Sequence, residues 1–384
     1  MVGTLIIGLG SILVLMSLSN RNSKLITYLM YLFIWIVYTF CNSGNPDLDV
    51  YTWTYSNHIY VTAPGFDLLM KLFANLGIPF FVFKGFCGLF VLYFYRLTFK
   101  KFYRNENAVL AMCVLCPLIA SVSQIRNGMM AAYVLYAFSE FLFDERHRLL
   151  PYIIRISLIS ILIHPVGLVY LVLIFAKKNF KDEGRTKLIF SIMLIIVVEL
   201  ILTQNLLYNI AGLFIKNTKY LTWFDFASGF AAVNEETLNI KGKLLPVIEQ
   251  LAGTGLLVFT IRKYSNRYHL SSSNKVGDDI TVLSLEQLQI LKNTFFLLLF
   301  VLPFYQISPT YFRIYMNFIP VLYIVILLMF CECEKKASLP RNVLFWITTV
   351  YGLLITVLSS VGYTLSMFES FRICLLYTSD AADE

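Results

Sequence analysis

The chain has 384 residues, of which 58% are hydrophobic, 16% aromatic and only 14% charged. An average soluble domain carries about 25% charged residues, so this composition excludes an ordinary soluble fold. The net charge of +8 would suggest nucleic-acid binding in a soluble protein. Here the Lys and Arg residues cluster in short segments between apolar runs, where they set membrane orientation. We therefore expect an all-α, polytopic membrane protein that binds the lipid bilayer and no nucleic acid.

Long apolar runs that are almost free of charge are the main structural signal. A spanning helix must cross a hydrocarbon core about 30 Å thick, which takes about 20 such residues. The clearest runs are 2–18, 25–41, 78–95, 188–202 and 343–361. Counted by length, the chain makes about twelve crossings, some of them short or re-entrant. The run at 2–18 has no basic segment ahead of it and no small-residue cleavage site after it, so we interpret it as a span and not as a signal peptide.

Basic clusters give these spans a consistent orientation. The first span runs from outside to inside and the second returns, so residues 42–63 lie outside. One interpretation of Asp47 and Asp49, taken in isolation, is that they solvate a loop there that opens with a turn at Asn45-Pro46. Most of the 31 Lys and Arg residues fall in the inner segments of this path. That bias supports an inner (cytoplasmic) membrane protein with multiple spans.

An amphipathic helix is predicted immediately after this outer loop. Residues 65–76 place an apolar side chain at every third or fourth position, with Asp67 and Lys71 between them. That spacing is typical of a helix that lies on the outer membrane surface. Further spans then follow at 78–95, at 108–120 and from near Gly128 down to 144–148.

The apolar stretch at 149–176 is too long for one span and short for two. His164-Pro165 and Gly167 interrupt it in the middle. Proline removes a backbone donor and biases the preceding residue away from helix. We therefore predict two short helices that meet near His164 and return the chain to the inside at 177–187.

The rest of the chain continues the pattern of spans. A span at 188–202 leaves 203–243 as the longest outer segment, and the path returns through 244–261 to a polar inner loop that ends near Lys292. The remaining spans are 295–306, 312–329 and 343–361. Residues 1–373 form a single multi-span domain with no internal repeat. The last eleven residues, 374–384, resemble the translation of a sequencing-library adapter, so we exclude them from fold reasoning. We expect the natural protein to continue past Ile373, so that this sequence is truncated there.

Cysteine usage gives no sign of a metal site or a disulfide framework. The pair Cys113-x-x-Cys116 lies in an apolar run with no second pair and no nearby histidine, which argues against zinc. No carboxylate cluster points to an obligatory metal, although Asp47-x-Asp49 leaves a bound cation open. We expect no cofactor.

Four polar motifs fall on the outer side of the predicted path. They are NPDLDVYTWTY at 45–55, SQIRNG at 123–128, IHP at 163–165, and Arg313 with Asn317 in YFRIYMN. Structural explanations exist for each: an aromatic belt, a packed histidine, or a pair between Arg126 and Asp47 or Asp49. Arg126 is the most informative, because an arginine near lipid is costly unless it finds an anion or a partner.

These motifs, taken in order, resemble a known family. NPDLDVYTWTY is followed by APGFDLLMKLF, SQIRNGMMAAYVL, LIHPVGLVYL and PTYFRIYMNFIPVLYI. This series is similar to the EpsG family of exopolysaccharide proteins, relatives of the Wzy-type polysaccharide polymerases, over about residues 25–327. The resemblance implies a bacterial cytoplasmic-membrane protein with a GT-C-like architecture. It would polymerise undecaprenyl-diphosphate-linked repeat units into capsular polysaccharide or exopolysaccharide on the outer face.

The resemblance also suggests roles for individual residues. Arg126 and Arg313 suit a diphosphate, because guanidinium presents several fixed donors and stays charged near lipid. His164 or Asp47 would accept the proton of the acceptor hydroxyl. The substrate-binding candidates are Tyr51, Tyr55, Asn127, Asn317 and Trp223. Family members often carry an acidic residue where Ala63 stands, so that carboxylate is absent here or replaced by Asp47 or Asp49.

Three other functions compete with polymerisation. A transporter or flippase of lipid-linked sugars would also need arginines and aromatic residues, but it commonly carries an internal duplication, which this chain lacks. A membrane acyltransferase would need an inner histidine with an acidic partner, and His147 beside Glu145 fits a solvated loop better. A noncatalytic subunit that works with other exopolysaccharide assembly proteins stays open, because fold alone does not give enzymology.

Overall fold

The computed structural model describes residues 2–19, 23–41, 46–59, 63–102, 106–144, 148–177, 192, 247–262, 283–306 and 311–332. Within these residues all regular structure is helical and no strand occurs. The predicted spans at 188–202 (apart from residue 192) and 343–361, the outer segment at 203–243 and the adapter-like tail lie outside the described residues. The all-α prediction is thus confirmed for the part of the chain that is described.

The first five helices comprise the four predicted ones and one further helix, at Pro46–Ser56, that was not predicted. They are α1 (Val2–Ser19), α2 (Lys24–Phe40), α3 (Pro46–Ser56), α4 (Pro64–Asn75) and α5 (Phe80–Phe102). The amphipathic α4 is confirmed, because Phe66 and Met70 are buried while Lys71 is exposed.

The alternative that Asp47 and Asp49 only solvate a loop is wrong, since these residues lie in the first turn of α3, directly after Pro46. Proline and acidic side chains both favour a helix amino end, the first through its fixed backbone angle and the second through the helix dipole. The turn signal of Asn45-Pro46 therefore marks the start of a helix.

The next segment folds back on itself through a very short turn. Helix α6 (Glu106–Cys113) continues through a π-helical turn at Val114–Leu118 into α7 (Ile119–Ser123), and Gln124 separates α7 from α8 (Ile125–Phe143). The π turn contains Pro117, whose ring disrupts regular α-helical bonding. A Cβ added to Gly128 would come within 2.9 Å of the Ser121 side chain, so the close return needs glycine there.

The predicted break at His164 is confirmed as a hairpin. Helix α9 (Leu149–Leu162) ends before His164, and a 3-10 helix follows at Pro165–Leu173 and continues into α10 (Ile174–Lys177). The Tyr152 hydroxyl donates to the Tyr170 carbonyl oxygen at 2.9 Å, and Gly167 packs against Ser160. These cross-contacts between early and late residues show that the two arms run antiparallel, so the stretch is not one kinked helix.

The last described helices are α11 (247–262), α12 (Leu285–Leu298) with a 3-10 extension at Leu299–Gln306, α13 (Phe312–Met316) and α14 (Ile319–Glu332). The inner loop that was predicted to end near Lys292 ends earlier. Ser284 and Gln287 form a capping box that starts α12, and this reciprocal capping satisfies two amide donors at the helix end. Lys292 is therefore helical.

Helix α8 lies at the centre of the described bundle, between α5 and α9. Its side chains are buried except for five partly exposed ones: Arg126, Tyr133, Tyr136, Glu140 and Phe143. Helices α5 and α8 run in the same direction, so the carboxyl end of α8 lies beside Lys101 near the carboxyl end of α5. The bundle thus has two ends, one with the amino end of α8 and one with its carboxyl end.

By length and composition, two described helices could cross a membrane: Phe80–Phe102 and Leu285–Leu302. Large apolar side chains are exposed in stripes along α5 and α9, namely Val82, Phe86, Leu89, Tyr93, Leu150, Ile154, Leu158 and Ile161. Such stripes are unusual for a surface in water. The count of about twelve crossings and the GT-C-like arrangement stay predictions.

Candidate functional site

Four separate segments converge at the end of the bundle that holds the amino end of α8. Helix α3 contributes Asp47 and Tyr51, the amino end of α8 contributes Arg126, the hairpin break contributes His164, and α13 contributes Arg313. The structure therefore brings together all four residues that the sequence suggested as catalytic. Their proximity follows from the contacts described next.

Arg126 is held by an aromatic side chain. Its Nε donates to the Tyr51 hydroxyl at 2.9 Å, and its guanidinium carbon lies 5.6 Å from the centre of the same ring. No carboxylate pairs with Arg126 among the residues described, so the alternative of a structural pair with Asp47 or Asp49 is not seen there. Arginine carries five N–H donors, and this arrangement uses only the Nε donor.

Asp47 pairs with the other arginine. Arg313 Nη2 lies 3.4 Å from Asp47 Oδ2, and the two side chains remain 36% and 43% exposed. An ion pair this open to solvent stabilises a protein by only about 1 kcal/mol or less. The pair therefore orients two accessible charged groups more than it holds the fold together.

The positive charges of Arg126 and Arg313 both act on His164. Its Nδ1 accepts a hydrogen bond from the Val166 N–H at 3.3 Å and so caps the 3-10 helix. Because Nδ1 is the acceptor, the proton of the neutral ring is on Nε2. Burial, followed by the positive charges of Arg126 and Arg313, lowers the pKa of His164 to about 3. A neutral imidazole of this kind donates through Nε2–H and is a weak base.

A buried hydrogen-bond network links three of these four segments: α8, the hairpin and α13. Asn127 and Asn317 exchange two side-chain hydrogen bonds at 3.3 and 3.1 Å. Asn317 Nδ2 also donates to the Tyr170 hydroxyl at 2.9 Å, and that hydroxyl donates to the Ile314 carbonyl oxygen at 2.9 Å. The network links the residue after Arg126, the helix after His164 and the turn after Arg313.

The substrate-binding candidates thus divide into different positions. Asn127 and Asn317 are buried at 6% and 2% exposure, and their amides bond to protein groups, which suits positioning better than sugar contact. Tyr55 is buried against Phe80 and Phe83, and its hydroxyl donates to the Ile78 carbonyl oxygen at 2.6 Å. Tyr51 touches Arg126, as described above. Trp223 lies outside the described residues.

Sequence reasoning missed Tyr170 as a member of this network. The only signal was a hydroxyl group inside an apolar run, and such a group needs a hydrogen-bond partner when it is buried. In the described part of the chain, no group of three or more His, Cys, Asp or Glu residues could hold a metal ion. Ala63 occupies the N-cap position of α4 without a side-chain cap, a position where an acidic side chain would cap the helix.

The family model of EpsG matches residues 23–370, nearly the full chain. The chain belongs to the EpsG family. No curated protein matches it, and no solved structure does. Membership in EpsG indicates a function related to exopolysaccharide, in a family that is typically membrane-associated. All described residues of the site lie within the matched range.

The site of this EpsG protein is suited to a multiply charged anion. Two guanidinium groups approach one neutral histidine, and the amino end of α8 adds the positive end of a helix dipole beside Arg126. Asp47 is the only carboxylate that the structure shows in contact with either arginine among the described residues. The arrangement can therefore bind phosphate oxygens and offers one carboxylate as a proton acceptor.

Proposed function

We propose that this protein polymerises undecaprenyl-diphosphate-linked oligosaccharide repeat units into capsular polysaccharide or exopolysaccharide. The observation that carries the proposal is the convergence of both arginines on α3 from separate segments, since Arg126 bonds to Tyr51 and Arg313 pairs with Asp47. The charges of both arginines also act on His164. Asp47 balances only one of these two positive charges, so the site keeps a net positive charge that favours an anion. A diphosphate, which carries charge on several oxygens, is the anion that polymerisation releases.

Arg126 and Arg313 stabilise the leaving group in this proposal. As the bond between the anomeric carbon and the diphosphate oxygen breaks, negative charge grows on the diphosphate. Guanidinium groups fixed in advance stabilise that charge more than they stabilise the bound substrate, which is what accelerates the step. His164 donates its Nε2–H to the same oxygens or to a neighbouring sugar hydroxyl.

Asp47 is the proposed proton acceptor. The acceptor hydroxyl oxygen attacks the anomeric carbon, its proton passes to the Asp47 carboxylate, and the lipid diphosphate departs. His164 was the other candidate for this role, but its Nδ1 already accepts the Val166 N–H and its Nε2 carries the proton of the neutral ring, so neither nitrogen is free to accept another proton. Asp47 remains 43% exposed beside Arg313, so an acceptor can reach it.

The proposed setting is the bacterial cytoplasmic membrane, crossed several times, with the site on its outer face. The partners are the lipid bilayer, the lipid-linked glycan and other exopolysaccharide assembly proteins. Single-cysteine labelling tests the orientation in a background without the native cysteines. Trp53 is 57% exposed on α3, so Trp53→Cys should react in intact cells, whereas Lys100→Cys should react only after permeabilisation. Equal labelling of the two from outside would contradict the orientation.

A reconstitution assay tests the activity itself. Purified protein in liposomes, given a defined undecaprenyl-diphosphate-linked repeat unit, should produce a ladder of longer lipid-linked products. The variant Arg126→Gln should abolish the ladder while the protein still accumulates in the membrane. Transport of the repeat unit without a ladder would favour a flippase, and a ladder that needs a second assembly protein would favour a noncatalytic or auxiliary role.

A further inference from the structure

Three charged side chains meet at the opposite end of the bundle from the candidate site. Glu140 of α8 pairs with Lys101 of α5, and its Oε2 lies 3.5 Å from Arg155 Nη1 of α9. We name Lys101, Glu140 and Arg155 the inner charge cluster. One carboxylate neutralises only one of the two cations, so the cluster keeps a net positive charge.

The inner charge cluster is open to its surroundings. Its three side chains are 32%, 29% and 34% exposed, so each cation retains N–H donors that Glu140 does not occupy. The ring of Tyr136 lies beneath both cations, 5.7 Å from Lys101 Nζ and 5.8 Å from the guanidinium carbon of Arg155. The cations are thus held over an aromatic ring with their charge still accessible.

An apolar strip continues from the cluster along α8. Tyr133 and Tyr136 are partly exposed on α8, and the ring centre of Phe94 of α5 lies 4.9 and 5.4 Å from theirs. On α9, Leu158 lies one turn beyond Arg155 and is 52% exposed. The strip ends beneath α4, where Gly65 packs against the next turn of α9. A charged end therefore leads directly into an aromatic and aliphatic strip.

We infer that the inner charge cluster and this strip bind one anionic phospholipid of the inner leaflet. The phosphate contacts Lys101 and Arg155, and one acyl chain lies over Tyr133, Phe94 and Leu158. Basic side chains at the inner membrane surface attract anionic headgroups, and apolar chains gain by covering exposed apolar surface. Free phosphate would satisfy the cations but leave the strip uncovered, which is why the occupant is a lipid. The inference depends on the membrane setting and not on polymerase activity.

Native mass spectrometry of the full chain, released from nanodiscs, tests this assignment. Wild-type protein should retain phosphatidylglycerol in preference to phosphatidylcholine, and inorganic phosphate should not displace it. The triple variant Lys101→Gln, Glu140→Gln, Arg155→Gln removes both cations without leaving an unpaired carboxylate, so it should fold. It should bind phosphatidylglycerol at least about fivefold more weakly, since each basic residue near the surface contributes about 1 kcal/mol.

Two further variants separate lipid binding from a structural clamp. Glu140→Gln alone frees both cations and should strengthen retention of phosphatidylglycerol. If the three charges only hold the helices together, this variant should not strengthen lipid retention. The matched control Lys100→Gln, Arg148→Gln removes two positive charges near the same end, and Arg148 is 60% exposed. This control should bind lipid as the wild type does. The inference would be overturned if the triple variant bound lipid as the wild type does, or if Glu140→Gln left binding unchanged. It would also be overturned by an equal loss of binding in the control, or by no preference of the wild type for phosphatidylglycerol over phosphatidylcholine.

Discussion

Replacing Arg126 by lysine keeps the positive charge but removes the planar group of donors. In the wild type, Arg126 Nε donates to the Tyr51 hydroxyl at 2.9 Å. This bond fixes the plane of the guanidinium group and leaves its two terminal nitrogens to bind a diphosphate. Lysine has a single ammonium group that cannot hold Tyr51 and grip a diphosphate at two points together. A lost hydrogen bond to a charged group costs about 1.5–3 kcal/mol. Since each 1.4 kcal/mol is about tenfold, elongation should slow roughly 10- to 150-fold.

The rate of ladder growth in reconstituted liposomes measures this loss, with the protein in each preparation quantified. Tyr51→Phe serves as the matched control. It removes only the hydroxyl that accepts the Arg126 Nε–H and keeps the ring that lies 5.6 Å from the guanidinium carbon. Its effect should be smaller, about 0.5–1.5 kcal/mol. In the Arg126→Lys background, Tyr51→Phe should cost almost nothing further, because the shared contact is already gone.

Two results would refute this reasoning. Elongation at the wild-type rate by Arg126→Lys would show that the charge alone matters or that Arg126 is outside the site. Fully additive effects of Arg126→Lys and Tyr51→Phe would show that the two side chains act separately, and the proposed grip would then rest on Arg313.

The other predictions concern the remaining site residues. If Asp47 only neutralises Arg313, Asp47→Asn with Arg313→Gln should restore the polymer that either single change loses, whereas a direct role for either group allows no rescue in the liposome assay. His164→Gln, which keeps a donor near the Nε2 position, should retain more activity than His164→Asn, which keeps the cap; the reverse order would contradict a donor role. The folded pKa of His164 of about 3 lies below the unfolded value of about 6.5, so its neutral ring contributes stability that is lost as pH falls from about 6.5 toward 3, by at most about 1.4 kcal/mol per pH unit. Thermal unfolding in detergent at pH 7 and pH 5 should show this slope in the wild type and a smaller one in His164→Gln. Tyr170→Phe should cost about 1–3 kcal/mol of stability and lower kcat more than it changes KM, while a proportional loss of folded protein at unchanged kcat would indicate packing alone.

Local sequence patterns predicted much of the helical framework. Apolar runs marked α1, α2 and α5, and the spacing at 65–76 marked α4. The break at His164-Pro165 predicted the hairpin, because a proline in a helix removes a donor whatever the surroundings. Each of these features depends on residues that are neighbours along the chain, which is why the sequence was sufficient.

Boundaries were less predictable where local signals conflicted. A turn was one interpretation of Asn45-Pro46, but the acidic residues after it favour a helix start, and α3 begins at Pro46. The polar inner loop was predicted to end near Lys292, whereas the capping box at Ser284 begins α12 well before it. A single charge says little about helix ends, while a reciprocal cap satisfies amide donors that would otherwise be unpaired.

The sequence by itself determined that the chain is helical, apolar and built around four polar motifs that resemble EpsG. The tertiary structure decided which polar groups meet. Asp47 pairs with Arg313, 266 positions away, and not with Arg126. Asn127 and Asn317 bond to each other across 190 positions, and Tyr170 joins them. Periodicity reports which face of a helix is apolar, but the partner of a polar side chain depends on how distant helices pack, and a difference of a few ångströms there decides between an ion pair, a buried network and an open binding group.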